Sequence, residues 1–205
     1  MHIICTYKAC IFFTCYVILL EVRLNDFLIV AFSAVEIING KFNTDTMTSG
    51  SSFQRELPFG WSRLCCDDPS GNVVIVAAWD KQLGGMGAGS SSSSYYVNLQ
   101  TNGVDWVAIG QNVTLPPLST LEVSFYARSR PFTTSTGLAV SFGSEIFNHD
   151  LFGNWGYYVV IFPHLSESAT TDILKFSGRF QECELGWDCS CQISSVSARA
   201  IREYM

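Results

Sequence analysis

Apolar and polar residues alternate along the chain from residue 35 onward, and the spacing typical of helices is almost absent there. The clearest case is the stretch 121–128, where every second side chain is apolar. One face carries Leu121, Val123, Phe125 and Ala127, and the other carries Glu122, Ser124, Tyr126 and Arg128. Because successive side chains of a strand point to opposite faces, this pattern predicts a strand with one buried and one wetter face.

Several stretches of this kind recur, separated by turn signals such as Asp68–Gly71, Asn102–Gly103 and Pro116–Pro117. The predicted strands are Val35–Phe42, Asn72–Ala78, Tyr95–Gln100, Val107–Leu115, Thr120–Ser129, Gly137–Phe142, Gly156–Phe162, Thr171–Gly178 and Gln192–Ala200. Many short strands with short connections favour an antiparallel sandwich or barrel over alternating strand and helix units. We therefore predict an all-β domain over residues 35–205, built as an antiparallel two-sheet β-sandwich.

Residues 1–34 have the character of a targeting segment rather than of the domain. A short start with Lys8 precedes the apolar run Ala9–Leu20, and Ala31 and Ser33 offer small residues for cleavage. This order matches a secretory signal peptide better than a spanning helix, which needs about 20 uninterrupted apolar residues. A signal anchor or an extension without function are the alternatives. We expect a leader over residues 1–34, a secreted protein and no membrane association after the leader is removed.

Composition limits the partners of the domain. Charged residues make up 15% of the chain, and the net charge is −6 with 12 Lys and Arg scattered along it. A nucleic-acid surface needs clustered basic residues, so neither nucleic acid nor an anionic membrane is an expected partner. Disorder over most of the chain is excluded as well, because 48% of the residues are hydrophobic.

A series of short motifs follows in one order along the chain. They are Ile37–Phe42 (an NG-x-F pattern), Leu57–Trp61 (P-x-GW), Tyr96–Leu99, Ile109–Val113, Leu121–Arg130, Thr171–Phe176 and Ile193–Ser197. Their order resembles that of the galactose-binding-like jelly rolls, and is similar to the carbohydrate-binding modules of families 4 and 9 and to the secreted domain-of-unknown-function 642 family. The resemblance implies a two-sheet jelly roll of the secretory pathway that binds polysaccharide or another surface glycan and catalyses no reaction.

Such sandwiches often hold a structural calcium ion near the first and last strands. In this sequence Asn43 and Ser194 stand where the family places acidic residues. Calcium prefers carboxylate oxygens, so these departures weaken the case for the metal. We expect no cofactor.

The cysteines of the predicted domain are Cys65, Cys66, Cys183, Cys189 and Cys191. In a secreted protein, disulfides are the expected state, and an odd number leaves one cysteine unpaired or joined to another chain. Adjacent cysteines do not readily bond each other, so one of the first two is expected to reach the 182–191 loop. A second short bridge can close inside that loop, and the pairing stays open. A zinc–thiolate cluster is the alternative, although the spacing matches no common zinc finger.

The sequence contains no recognisable set of catalytic residues. After the leader the histidines are His149 and His164, and neither a G-x-S-x-G nor an H-E-x-x-H motif occurs. We expect His149 in a loop at the surface. Asp67 and Asp68 precede Pro69–Gly71, which indicates a turn rather than a glycosidase pair. The protein is therefore not expected to be an enzyme; a hydrolase with an unrecognised carboxylate pair is the weakest alternative.

Aromatic side chains are the strongest candidates for a ligand-binding site in this sequence. A sugar packs its C–H face on flat rings, while amides and charged groups bond its hydroxyls. Tyr96, Asn98 and Arg128 fall on the polar faces of their strands, and Trp79 and Trp155 lie beside loops. We predict that these five residues form a glycan-binding site.

The sequence Asn112-Val-Thr114 is an N-glycosylation sequon, and Asn112 is the predicted acceptor. Trp61, in its GW motif, is expected in the core. The predicted function is that of a secreted, non-catalytic module that binds a cell-wall or other extracellular glycan. The alternative is a structural or adhesive extracellular module whose partner is a protein.

Overall fold

The computed structural model describes the backbone of residues 10–13, 16–22, 29–42, 53–54, 57–64, 71–77, 95–101, 106–129, 136–163, 166–180 and 189–204. The strands are β1 (Cys10–Phe13), β2 (Tyr16–Val22), β3 (Ile29–Val35), β4 (Phe53–Gln54), β5 (Ser62–Arg63), β6 (Gly71–Ala77), β7 (Tyr95–Thr101), β8 (Trp106–Leu115), β9 (Thr120–Ser129), β10 (Thr136–Phe142), β11 (Glu145–Leu151), β12 (Gly156–Phe162), β13 (Thr170–Phe180) and β14 (Cys189–Tyr204). These ranges contain no helix, and hence none that could span a membrane.

The strands form two antiparallel sheets, which confirms the predicted all-β sandwich. The nine-stranded sheet has β1-β2-β3-β14-β7-β6-β4 along one path, and β14 also pairs with β9, which pairs with β12. The five-stranded sheet has the order β11-β10-β13-β8-β5. Because the apolar faces of both sheets need cover from water, the two layers enclose one core.

Strand β14 organises the larger sheet. Its first half pairs with β7 and its second half with β3, while β9 runs along the opposite side. The register to β9 shifts by one residue between Ser194 and Ser197, which is a β-bulge with Ser195 at φ 53°. The extra residue changes the alternation, so that Ile193 and Val196 both point into the core.

Aromatic rings join the two layers in the core. Phe125 of β9 contacts Phe176 of β13 edge-on at 5.2 Å between ring centroids. Phe176 in turn contacts Trp61 at 5.9 Å, and Trp61 contacts Phe42 at 5.7 Å. The prediction that Trp61 packs in the core is therefore confirmed. Edge-on contacts of this kind add about 1 kcal/mol each to the gain from burial.

The predicted strand Val35–Phe42 is wrong beyond its first residue, because β3 ends at Val35. The rest is a turn in which Asn39 and Phe42 have positive φ angles of 50° and 55°. Its backbone docks on the bulge of β14, where the Val196 amide donates to the Gly40 carbonyl at 2.9 Å. An Asn-Gly pair favours a left-handed turn over a strand.

The segment predicted as a leader contributes strands to the larger sheet. Strand β3 pairs with β14 from Ile29↔Tyr204 to Val35↔Ala198, and β2 pairs with β3. Phe32 packs beneath the Arg199 guanidinium, whose Cζ lies 4.6 Å from the ring centroid. Cleavage of residues 1–34 stays a prediction, and it would remove the strand that covers this part of β14.

The inclusion of Cys191 in a disulfide is corrected. Its side chain is completely buried in the core as a free thiol, and burial raises the pKa of that thiol to about 12. The physical reason is alternation: Cys191 lies on the apolar face of β14 with Ile193, inside the core. Of the other predicted disulfide cysteines, Cys65, Cys66 and Cys183 lie outside the described residues, and Cys189 is described only as backbone of β14.

His149 was expected in a surface loop, but it lies in β11, a strand that the sequence pattern did not reveal. Its ring points between the sheets, 5.2 Å from the Tyr158 ring centroid and 6.1 Å from that of Phe125. Burial lowers the pKa of His149 from its usual 6.5, because the aromatic surroundings disfavour the imidazolium.

Protonation of His149 should therefore destabilise the fold. A histidine whose folded pKa is depressed stabilises the protein above its unfolded pKa, and this contribution is lost as the pH falls below 6.5. We expect the urea midpoint to drop between about pH 7.5 and about pH 5.5, and to drop less in His149→Gln. Equal drops in the two proteins would contradict the assignment.

Gly40 and Gly153 provide a matched test of the docked turn. A Cβ at Gly40 would clash with the Val196 carbonyl oxygen, which is backbone and cannot swing away, whereas a Cβ at Gly153 meets no atom within 4 Å. Gly40→Ala should lower the free energy of unfolding by about 1–3 kcal/mol. Gly153→Ala should stay within about 0.5 kcal/mol of the wild type in the same urea titration.

Candidate functional site

The candidate site lies on the outer face of the nine-stranded sheet, the face opposite the core. Alternation places Val97 and Leu99 of β7 in the core and leaves Tyr96 and Asn98 on the outer face. On β14 the bulge separates two phases, and Gln192 lies outward in the first. These strands are neighbours in the sheet, so their outward side chains form rows across it.

One row runs across four strands at the end of the sheet where β12 begins. Gln192 lies directly opposite Asn98 of β7 and opposite Arg128 of β9. Trp155 immediately precedes β12, whose Gly156 is opposite Ala127. The strand register thus brings together residues that are up to 94 positions apart in sequence (192 − 98 = 94).

Arg128 is the centre of this row. Its Nε donates to the Gln192 Oε1 at 2.6 Å, and its guanidinium carbon lies 4.9 Å from the ring centroid of Trp155. The Trp155 ring meets the Tyr96 ring edge-on at 5.8 Å. We call Arg128, Gln192, Tyr96 and Trp155 the Arg128 cluster.

The Arg128 cluster is closed to water over most of its area. Tyr96 and Gln192 are 0% exposed and Arg128 is 5% exposed, while Trp155 is half-buried. Burial lowers the pKa of Arg128, and hydrogen bonding and charge interaction with Tyr96 oppose that change. A guanidinium stays charged under all physiological conditions. The cluster is therefore a charged, hydrogen-bonded support whose accessible part is the indole of Trp155.

A pair of tyrosines lies on the same outer face, on β9 and β12. Tyr126 and Tyr157 are opposite each other on β9 and β12, with ring centroids 5.1 Å apart and planes inclined by 52°. Tyr157 is 60% exposed and Tyr126 is half-buried. Trp155 lies two residues before Tyr157 in sequence, and we call these three aromatic side chains the ring patch (Tyr126, Tyr157 and Trp155).

The sequence prediction missed the tyrosine pair, although signals for it were present. In Gly156-Tyr157-Tyr158, alternation sends one tyrosine inward and the other outward, and Tyr158 stacks on Phe125 in the core at 5.5 Å. Burial raises the pKa of Tyr158 accordingly. Tyr126 falls on the polar face of the predicted strand 120–129. What the sequence could not supply was the pairing of β9 with β12, which places the two rings together.

Polar groups border the ring patch along β9. Ser124 shares a hydrogen bond of 2.7 Å between its Oγ and that of Ser197. Beyond it, Glu122 and Arg199 form an ion pair with a 2.7 Å contact between Oε1 and Nε, and the hydrogen bond to Glu122 raises the pKa of Arg199. The outer face thus offers hydroxyls and a neutralised charge pair beside the aromatic rings.

The five predicted glycan-binding residues have different outcomes. The structure brings Tyr96, Asn98, Arg128 and Trp155 to one end of the outer face; the first three lie on the strand faces that alternation predicted, and Trp155 lies just before β12. Three of them are buried rather than presented to solvent. Trp79 lies outside the described residues. Their part in binding stays a prediction.

For metal ions, the described part of the chain contains no group of three or more His, Cys, Asp or Glu side chains able to share one. Ser194, which stands where the resembling family has an acidic residue, is completely buried. Its Oγ donates to the Tyr95 carbonyl at 3.0 Å. Asn43 lies outside the described residues.

No family model matches the sequence, and no curated protein matches it. Among solved structures, TmCBM61 in complex with β-1,4-galactotriose matches with TM-score 0.48 and 12% identity, over 79% of this chain and 95% of its own. The enzymatically active domain of tailspike protein 4 from bacteriophage CBA120 matches with TM-score 0.46 and 14% identity, over 80% of this chain and 21% of its own. A structure of CBM4 matches with TM-score 0.40 and 14% identity, over 80% and 99%.

Carbohydrate-binding modules are among these matching structures, and the resemblance to the domain-of-unknown-function 642 family is not shown. Similarity at this level identifies no ligand for this chain. The ligand has to be inferred from the side chains of its own outer face.

Replacement of Arg128 tests whether the cluster is a structural support. Arg128→Met removes the donor to Gln192 and the cation beneath Trp155, so the free energy of unfolding should fall by about 2 kcal/mol. Arg199→Met, which breaks a more exposed ion pair on the same face, should cost less than about 1 kcal/mol. Urea unfolding measures both, and equal losses would show that Arg128 is not a special support.

Proposed function

We propose that this chain is a secreted, non-catalytic module that binds a glycan on the outer face of its nine-stranded sheet. The observation that carries the proposal is the ring patch, in which an exposed tyrosine lies against its tilted partner and a half-buried indole is held by Arg128. The apolar leader-like segment and the sequon support secretion. The absence of nucleophile and paired-histidine motifs from the sequence supports a role without catalysis.

The chemistry of the ring patch suits a sugar. Pyranose rings present C–H groups that pack on aromatic faces, and their hydroxyls need hydrogen-bond partners at the rim. The phenol groups of Tyr126 and Tyr157 and the hydroxyl of Ser124 supply such partners. Arg128 holds the Trp155 ring from one side, so the indole is fixed before a ligand arrives. A fixed ring loses little conformational entropy on binding, which favours affinity.

The geometry also indicates which class of glycan fits. The two tyrosine planes are inclined by 52°, so they cannot both lie flat on one planar surface. A single chain or a terminal sugar that turns between the two rings meets both of them. The net charge of −6 disfavours polyanionic glycans. We therefore propose a neutral, soluble or amorphous glycan rather than a crystalline or acidic one.

A second candidate function is binding to a protein, and one observation favours it. On β12 the outward side chains Tyr157, Val159 and Ile161 form an exposed apolar row at the edge of the sheet. Exposed apolar edges often mark contact sites for other proteins. The two functions use different parts of this row, since only Tyr157 belongs to the ring patch.

Single substitutions along this row separate the two functions. Tyr157→Ala and Trp155→Ala should each weaken binding to the best neutral glycan of a glycan array about tenfold, because a ring contact contributes about 1.4 kcal/mol. Val159→Ala, on the same strand and face, should bind like the wild type. Isothermal titration with the selected oligosaccharide measures the affinities, and circular dichroism checks that each variant is folded.

Two outcomes would contradict the glycan proposal. One is the absence of any glycan that binds the wild type above background. The other is equal affinity of the wild type, Tyr157→Ala and Trp155→Ala. If Val159→Ala and Ile161→Ala instead abolish capture of a protein that free sugars do not displace, the protein-binding alternative is favoured.

A further inference from the structure

Asn112 lies on the outer face of the other sheet. It is exposed in the middle of β8, while its neighbours Gln111 and Val113 are buried on the inner side. Gln111 holds the turn 36–42 from inside, because its Oε1 accepts from the Ile38 amide at 2.9 Å. The side chain of Asn112 therefore points to solvent, while its sequence neighbours Gln111 and Val113 anchor the backbone in the interior.

The surroundings of Asn112 leave room for a large group. On one side it faces Ile173 of β13. On the other side, β5 pairs with β8 only at Ile109 and Gly110, so within the described strands no partner continues past Asn112. Because Asn112 itself is exposed, a bulky substituent on its side chain extends into solvent.

The side chains next to Asn112 on this outer face are suited to pack against the first sugar residue of an attached glycan. Thr114 and Thr171, the next cross-strand pair on this face, share a 2.8 Å hydrogen bond between their hydroxyls. Ile173 exposes 39% of its surface beside them. A sugar ring over these side chains would cover the isoleucine and meet two hydroxyls at its edge.

We infer that Asn112 carries an N-linked glycan and that this glycan covers the exposed side chains beside it on the five-stranded sheet, Thr114, Thr171 and Ile173. Asn112-Val-Thr114 is the one Asn-x-Ser/Thr sequence in the chain. In the transfer, the Asn112 Nδ2 bonds the anomeric carbon of a lipid-linked oligosaccharide diphosphate. The diphosphate leaves as the carbon–oxygen bond breaks, the amide loses one proton, and no atom changes oxidation state. The ring patch on the opposite sheet stays uncovered.

The test is to translate the full chain in the presence of eukaryotic microsomes that hold the transfer machinery and the lipid-linked donor. We expect a protease-protected product with one glycan, which peptide N-glycosidase removes. Asn112→Gln and Thr114→Ala should both lose this glycan. Thr171→Ala is the matched control, because it breaks the same hydroxyl pair as Thr114→Ala and leaves the sequon intact.

A protected product without glycan would overturn the inference, and so would a product that never enters the lumen. Loss of the glycan in Thr171→Ala would show that the threonine pair, rather than the sequon, controls the modification. The outcome is independent of the proposed ligand site, because Asn112→Gln should bind the selected oligosaccharide with unchanged affinity. Weaker binding by this variant would contradict the assignment of the two faces.

Discussion

Strand β14 is the constraint on which the rest of the structure depends. Its 16 residues hydrogen-bond to β9 on one side and to β7 and β3 on the other, so three parts of the sequence meet on it. The bulge at Ser194–Ser197 keeps apolar side chains inward on both sides of the break. Without that extra residue, one half of the strand would turn its apolar side chains toward water. The bulge also provides the amide that holds the turn at Gly40.

The outer face of this sheet shows why a charge can be buried outside the core. Arg128 is covered by Trp155 and Tyr96 and is hydrogen-bonded to Gln192. Burial of a cation is unfavourable unless neighbours replace its lost hydration, and here an amide, a phenol and an indole do so. As a consequence, the Trp155 ring has a fixed position against Arg128 and Tyr96. The buried cluster and the exposed ring patch are therefore two parts of one arrangement.

The two outer faces of the sandwich have different chemistry and suit different uses. The nine-stranded sheet presents aromatic rings beside Ser124 and the Glu122–Arg199 pair, which fits reversible contact with a ligand. The five-stranded sheet presents an exposed asparagine and a threonine pair, which fits a covalent attachment. A glycan on one face and a binding patch on the other would not compete, because the core of the sandwich lies between them.

The sequence by itself determined the strands that alternate cleanly, the class of fold and the outward direction of Tyr96, Asn98 and Arg128, because a period of two is a local property. It did not determine β11, where Asn148, His149 and Asp150 interrupt the apolar pattern, or the turn after Val35. Strand pairing was decided only by the tertiary structure, since hydrogen bonds between β9, β12 and β14 join distant residues. That pairing buried Arg128, placed Tyr126 beside Tyr157 and put Cys191 in the core as a free thiol.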